Sequence, residues 1–254
     1  FDLAPWTNNR LSVIILNMHN CQFLTALGLK AAYKYRGIAN NSLSRYYITR
    51  PYPLQFNAIM QRISLVNIAH NLLKNKLHPG DIAIDATLGN GYDSLFLVEQ
   101  VSPCGLVFGF DIQETAIEST KNKILQTRYP ECLKLIHGSH ADMIVNIPLK
   151  YHGDISVIMF NLGYLPGGDK SVITNTNSTL IALNNARQLL AVDGIITVMA
   201  YPGHSGGDSE AEQVKNWCNQ LDKVQFKVDF ISSSVDNNSA PILFVIQKLT
   251  NPNL

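Results

Sequence analysis

Residues 82–93 read Ile-Ala-Ile-Asp-Ala-Thr-Leu-Gly-Asn-Gly-Tyr-Asp, an apolar run that ends in an acid and turns on two glycines. The strand closes on Asp85. Gly89, Asn90 and Gly91 shape the turn, and a helical pattern follows in Asp93-Ser-Leu-Phe-Leu-Val. A second strand, Leu106-Val-Phe-Gly-Phe, ends in Asp111, twenty residues after Gly91. This layout holds a nucleotide-like ligand at the carboxyl edge of a parallel sheet. Glycines let backbone N–H groups approach the ligand, and the second acid takes ribose hydroxyls.

The acids decide which ligand. A dinucleotide fingerprint has a third glycine that closes onto a pyrophosphate. Ser94 stands at that position here, with Asp85 before the turn and Asp93 inside it. Carboxylates there repel a pyrophosphate and suit the cationic methionyl end of S-adenosylmethionine (SAM). SAM is therefore the expected cofactor, rather than NAD. A glycine turn that binds nothing would leave Asp85, Asp93 and Asp111 repelling one another without compensation.

The chain has 254 residues, 46% of them hydrophobic and 15% charged, enough for one large domain and an appendage. No apolar run approaches the ~20 residues of a membrane span. The cysteines at 21, 104, 132 and 218 are scattered, and the histidines show no close ligand spacing. A reducing, cytoplasmic setting and no metal are expected. Charge is uneven. Residues 1–70 hold seven Lys/Arg against one acid, Asp2, and no further acid occurs before Asp81. Such asymmetry points to a polyanionic partner or a targeting segment, so an organellar address is a second expectation.

Residues 1–60 read as a basic extension, mainly helical or irregular, with a helix over Leu24–Tyr35. Within it, Lys30, Lys34, Arg36, Arg45 and Arg50 interleave with five tyrosines, a pattern that suits RNA phosphates and unpaired bases. A solvated basic face and an organellar presequence are the alternative readings. Residues 61–254 form the second unit. It begins with a helix from about 61 to His78-Pro-Gly. Strands are expected at 82–85, 106–110, 133–137, 155–160, 194–200, 225–231 and 242–248. Helices are expected at 93–100, 113–127, 139–145, 176–190 and 208–220. The alternation predicts an α/β fold with a mostly parallel seven-stranded sheet, and the last two strands close it as an antiparallel hairpin. That is the plan of a Rossmann-like class I SAM methyltransferase.

Ligand groups in such a sheet gather at the strand carboxyl ends. Beyond the glycine turn and Asp111, Gln113 follows the second acid. The third strand leads into Ser139, His140 and Asp142, of which Ser139 or Asp142 could hold an adenine amino group. The fourth strand ends in Asn161-Leu-Gly-Tyr164-Leu-Pro-Gly167-Gly168. Amine methyltransferases often carry D/N-P-P-Y/F here, whose oxygens accept hydrogen bonds from the substrate nitrogen. Asn161 and Tyr164 match the ends of that tetrad, and Leu162-Gly163 departs from its prolines. Asn161 is expected to face both cofactor and acceptor. Asn161 and Tyr164 are the catalytic candidates. Tyr164, Gly167, Gly168, Tyr201, Gly203 and His204 are the expected substrate contacts, the last three in a glycine-rich loop after the fifth strand.

Residues 61–250 resemble the bacterial family long labelled putative rRNA methylase. The resemblance rests on Asp85-Ala-Thr-Leu-Gly-Asn-Gly-Tyr-Asp, Phe110-Asp-Ile-Gln, Gly138-Ser-His-Ala, Phe160-Asn-Leu-Gly-Tyr-Leu-Pro-Gly-Gly-Asp-Lys and Tyr201-Pro-Gly-His-Ser-Gly-Gly. It implies methyl transfer from SAM to the exocyclic amine of 5-aminomethyl-(2-thio)uridine at the tRNA wobble position, with the tRNA anticodon region as partner. Asn161 would orient the amine and Tyr164 would pack on the base or the cationic centre. Three other readings stay open: an rRNA methyltransferase, a small-molecule N-methyltransferase, and a non-catalytic SAM- or RNA-binding protein. Whether the chain forms a homodimer also stays open.

Overall fold

The computed structural model describes residues 64–165, 167, 173–203, 206–232 and 239–250. The expected basic extension, its Leu24–Tyr35 helix and the Lys/Arg–Tyr interleaving lie outside the described residues.

The first helix, α1 (Leu65–Lys74), starts where Ser64 accepts a hydrogen bond from the Asn67 backbone N–H at 3.2 Å. Its buried residues Leu65, Ala69 and Leu73 recur every four positions, one stripe of the helix. Leu73 is fully buried, a contribution of roughly 2 kcal/mol. Strand β1 (Ile82–Asp85) leads through the glycine turn to α2 (Tyr92–Val101), then β2 (Leu106–Asp111), α3 (Glu114–Ile124) and β3 (Leu133–His137). A short helix α4 (Met143–Asn146) precedes β4 (Ile155–Asn161). Then come α5 (Thr176–Leu189), β5 (Leu190–Ala200), α6 (Gly207–Gln220), β6 (Phe226–Ser232) and β7 (Ile242–Lys248).

The seven strands form one sheet in the order β3-β2-β1-β4-β5-β7-β6. The first five are parallel, and β7 runs antiparallel to both β5 and β6. This is the α/β arrangement that the sequence leads one to expect, closing hairpin included. The chain leaves β1 in opposite directions, toward β2 and toward β4. The crevice at the carboxyl ends of β1 and β4 is the topological switch point where such sheets bind ligands.

Strand alternation splits the core between the two faces of the sheet. Ala83, Val157 and Met159 join a cluster with Leu65, Leu73, Leu97 and Val101 of the first two helices. Ile84, Ile158 and Phe160 join Ala182, Leu183, Val214 and Trp217 of α5 and α6 on the other face. Both faces are therefore covered, which explains why the inner strands read as continuous apolar runs.

Two elements differ from expectation. Strand β5 begins at Leu190, not 194, because Leu190 pairs with Ile155 before the register shifts and Ile195 meets Val157. Asp193-Gly194 looks like a turn in the sequence, but it is an irregularity inside the strand, with Asp193 at φ 65°. The expected helix at 139–145 is a 3-10 turn, His140–Asp142, followed by the single turn of α4.

Candidate active site

The glycine turn is shaped by backbone conformation and by close packing. Gly89 and Gly91 have φ of 50° and 79°, a region that side chains with a Cβ avoid. At Gly91 an added Cβ would also lie 2.4 Å from Thr120 Oγ1 on α3. Gly91 stands at the N-cap of α2 without a side-chain cap, so this helix end keeps backbone donors for a ligand.

Asp111, at the end of β2, uses its two oxygens differently. Oδ2 accepts from the Gly89 N–H at 2.8 Å and Oδ1 from the Gln113 N–H at 2.9 Å. It thereby ties the turn to the second strand. Each oxygen keeps a further lone pair, and the half-buried carboxylate suits a pair of ribose hydroxyls. The Gly89 and Gly91 N–H groups are spent on Asp111 and the Leu88 carbonyl, so the close backbone approach at the turn, the uncapped start of α2 and this acid are what fit SAM. The rim of the turn is built by Lys123, whose Nζ donates to the Asn90 carbonyl at 2.6 Å and lies over the exposed Tyr92 ring.

Asp85 occupies a different position from the other two acids. It is fully buried, accepting from Ser94 Oγ at 2.7 Å and from the Thr87 N–H at 3.2 Å. Burial, then the charge of Asp93, pushes its carboxyl from 3.8 up to about 7. Its contacts hold the strand, the turn and α2 together. Asp85, expected among the cofactor contacts, thus spends its oxygens bracing the turn from within.

Asp93 is the hub of the site. Its carboxylate is 8% exposed and lies in the first turn of α2, where the helix dipole favours negative charge. Oδ1 bonds His70 Nε2 of α1 at 2.5 Å, and Oδ2 accepts from Nδ2 of Asn161 at the end of β4. His70 stacks on Phe96 with ring centroids 4.0 Å apart. The Asn161 backbone N–H donates to Thr87 Oγ1 at 2.6 Å. From the end of β5, half-buried Tyr201 comes close enough for the Asp93 charge, after burial, to raise its phenol. Four elements thus converge on one carboxylate.

The turn after β4 is pinned from below. The Gly163 N–H donates to Thr174 Oγ1 at 2.8 Å, and Thr174 N–H returns to the Gly163 carbonyl at 2.8 Å. Tyr164 and Ile173 form an antiparallel bridge. Thr174 and Thr179 both donate to the buried Glu210 of α6, each at 2.7 Å. Tyr164 is 39% exposed at the mouth of the turn. Gly167 is exposed, whereas Gly168 and His204 fall outside the described residues. Gly203 is exposed, and its N–H reaches Asp208 Oδ1 at 3.2 Å.

After β3, Ser139 caps the 3-10 turn, its Oγ accepting from the Ala141 N–H at 3.1 Å, and Asp142 is exposed beside it. His140 is buried, and its Nδ1 pairs with the Ala86 carbonyl at 3.1 Å, which requires the proton on Nδ1. Burial lowers its pKa, so the ring is neutral and Nε2 is an acceptor. That Nε2 has no hydrogen-bond partner among the described residues.

Sequence reading missed His70, Thr87, Thr174 and Glu210. His70 is one polar residue on an amphipathic helix, 23 positions from its partner, and no spacing pattern marks it. Glu210 carried a weak signal as one of the acids opening α6. Among the described residues no group of His, Cys, Asp or Glu could hold a metal, and no helix is long and apolar enough to cross a membrane.

Comparison with known proteins gives consistent matches. Residues 107–247 match the family model described as "Putative rRNA methylase". A curated Arabidopsis thaliana protein named tRNA (mnm(5)s(2)U34)-methyltransferase, chloroplastic, is 39% identical over 162 residues, 61% of this chain and 58% of the relative. The chain therefore spans little more than half of that relative's length. A crystal structure titled as a "putative rRNA-methylase" from Clostridium thermocellum is 38% identical, with a TM-score of 0.69 over 72% of this chain and 97% of that one. A "putative methyltransferase" from Streptococcus mutans, solved with SAH, is 34% identical, with a TM-score of 0.65 over 72% and 97%.

Proposed function

This chain belongs to the rRNA methylase family, and from that premise we propose that it is a SAM-dependent N-methyltransferase acting on the exocyclic amine of 5-aminomethyl-(2-thio)uridine at the tRNA wobble position. The observation that carries the reading is the Asn161 amide. It stands at the end of β4, hydrogen-bonded to Asp93 of the glycine turn. The group suited to orient an amine thus lies one hydrogen bond from the cofactor turn. The name of the Arabidopsis relative supports the choice of nucleoside, and the S. mutans neighbour's SAH supports the cofactor.

SAM, when bound, supplies a methyl group on a cationic sulfur. Everything else is positioning, which is what an in-line displacement needs. Gly89, Gly91 and Asp111 hold the nucleoside end. The buried carboxylate of Asp93 places negative potential where the cationic end belongs. Asn161 Oδ1 accepts a hydrogen bond from the acceptor amine and directs its lone pair inward. Tyr164, exposed beside it, offers a ring face to the base. The neutral amine must form by loss of a proton, and the exposed mouth at Tyr164 lets water take it.

The chloroplastic label of the Arabidopsis relative, taken with the acid-poor stretch between Asp2 and Asp81, supports an organellar address over a cytoplasmic one.

The test is purified protein with SAM and tRNA bearing the 5-aminomethyl group, followed by nucleoside mass spectrometry. Gain of one methyl on that nucleoside is expected. Methylation of rRNA alone would redirect the substrate. Tight SAM binding without transfer to either RNA would make the chain a binder.

A further inference from the structure

His70 lies on α1, hydrogen-bonded to Asp93 and stacked on Phe96. We propose that His70 and Asp93 form a clamp that fixes the orientation of the Asn161 amide, which makes His70 a positioning residue for the methyl acceptor. The inference rests on the methyltransferase reading above.

An asparagine amide has two faces of opposite character, an accepting oxygen and a donating NH2, and a half-turn about its last bond exchanges them. A carboxylate only accepts. With Asp93 Oδ2 against the amide, Asn161 must therefore present Nδ2 to Asp93. Its backbone N–H is already held by Thr87 Oγ1. Oδ1 is the atom left facing away, and it accepts no hydrogen bond among the described residues. An oxygen in that place selects a nitrogen that still carries a proton, as a primary or secondary amine does, and rejects a bare acceptor.

Asp93 can act as the fixed reference only if its own rotamer is fixed. Its other oxygen is bonded to His70 Nε2 at 2.5 Å, which requires the ring proton on Nε2. The ring is in turn held flat on Phe96, with an interplanar angle of 3°. The order of constraint runs from Phe96 through His70 and Asp93 to the amide. Each link comes from a different residue class, and each is needed to determine the next. Without the His70 N–H, Asp93 can rotate, and the amide is free to present its NH2 to the incoming amine.

Two variants separate this role from simple packing. His70→Phe keeps a ring on Phe96 and removes the donor. His70→Gln loses the ring and restores an N–H near the Nε2 position. We expect His70→Phe to keep its melting temperature and SAH affinity near wild type while kcat on aminomethyl tRNA falls about tenfold, with KM little changed. His70→Gln should recover most of that kcat. Equal activity of His70→Phe and wild type, or a His70→Gln as slow as His70→Phe, overturns the clamp. The side-chain amide NMR signals of Asn161 give a readout independent of activity. In the wild type one Nδ2 proton should be shifted downfield by its carboxylate partner, and this shift should be lost in His70→Phe. An unchanged signal in that variant overturns the clamp. A wild type that shows the shift and methylates no RNA instead sinks the functional reading and leaves the clamp standing.

Discussion

Replacing Asp85 by Asn should stabilise the protein at alkaline pH, although the residue sits inside a hydrogen-bonded turn. The carboxyl has no exposed surface and faces Asp93 and, less closely, Asp111. Burial first, and these charges second, push it from 3.8 up to about 7. The unfolded chain gives up the proton near 3.8, whereas the folded protein keeps it until about 7. Stability from this group is thus complete below 3.8 and falls as pH rises, until it is lost above about 7. Over that interval the loss is on the order of 4 kcal/mol, at about 1.4 kcal/mol per pH unit. An Asn in the same volume still accepts from the Thr87 N–H. Its NH2 reverses the bond to Ser94 Oγ, and re-aiming that hydroxyl costs about 1 kcal/mol. The net gain at pH 8 is therefore roughly 2–3 kcal/mol, about 4–12 °C in melting temperature for a chain of this size. Urea unfolding of both proteins from pH 4 to pH 8.5 measures it, because every other titrating group is common to the two and cancels in the difference. The curves should cross, with wild type ahead near pH 4 and Asp85→Asn ahead at pH 8. Parallel curves, or a variant weaker at every pH, would refute the reasoning.

Three further outcomes follow from the same geometry. Asp111→Asn removes a charged acceptor from both the Gly89 N–H and the ribose position, so SAM affinity measured by calorimetry should fall by about 1.5–3 kcal/mol. Gly91→Ala should lower stability by roughly 1–3 kcal/mol, from strained φ and from collision with Thr120, and adding Thr120→Ala should recover only part of it in thermal denaturation. Burial pushes the Cys218 thiol up to about 12, whereas Cys104 is exposed, so native alkylation at pH 8 read by peptide mass spectrometry should label Cys104 and leave Cys218 unmodified until the chain is unfolded.

The sheet was legible because its signals are local. Apolar runs such as Ile155–Phe160 need no distant partner to be recognised, and Gly89 and Gly91 mark a turn by conformational necessity alone. Asp111 was legible because the ligand's own dimensions fix its distance from the turn. The polar wiring was not. Asp93 reads in the sequence as an acid of the glycine turn, and nothing there shows that its two oxygens serve His70 and Asn161, partners 23 and 68 residues away. Lys248, the last residue of β7, is buried, and its Nζ donates to the Leu190 carbonyl at 2.6 Å, where α5 gives way to β5. Such pairs form only once the sheet has brought remote segments together, so no period or spacing in the sequence records them.

The bridge between Tyr164 and Ile173 carries a consequence for how this architecture can diversify. It and the paired Gly163 and Thr174 tie together two points of the chain nine to eleven residues apart. Thr174 is in turn anchored to Glu210. Sequence changes or insertions between those points therefore fall outside the hydrogen-bonded tie. Doubling the length of such a loop adds only about 0.6 kcal/mol of closure entropy. Mutation can thus vary that interval while Asn161 and the turn that faces it keep their places. Under the proposed function, descendants of one ancestral protein could explore new acceptors along that short interval while the site at Asn161 stays fixed.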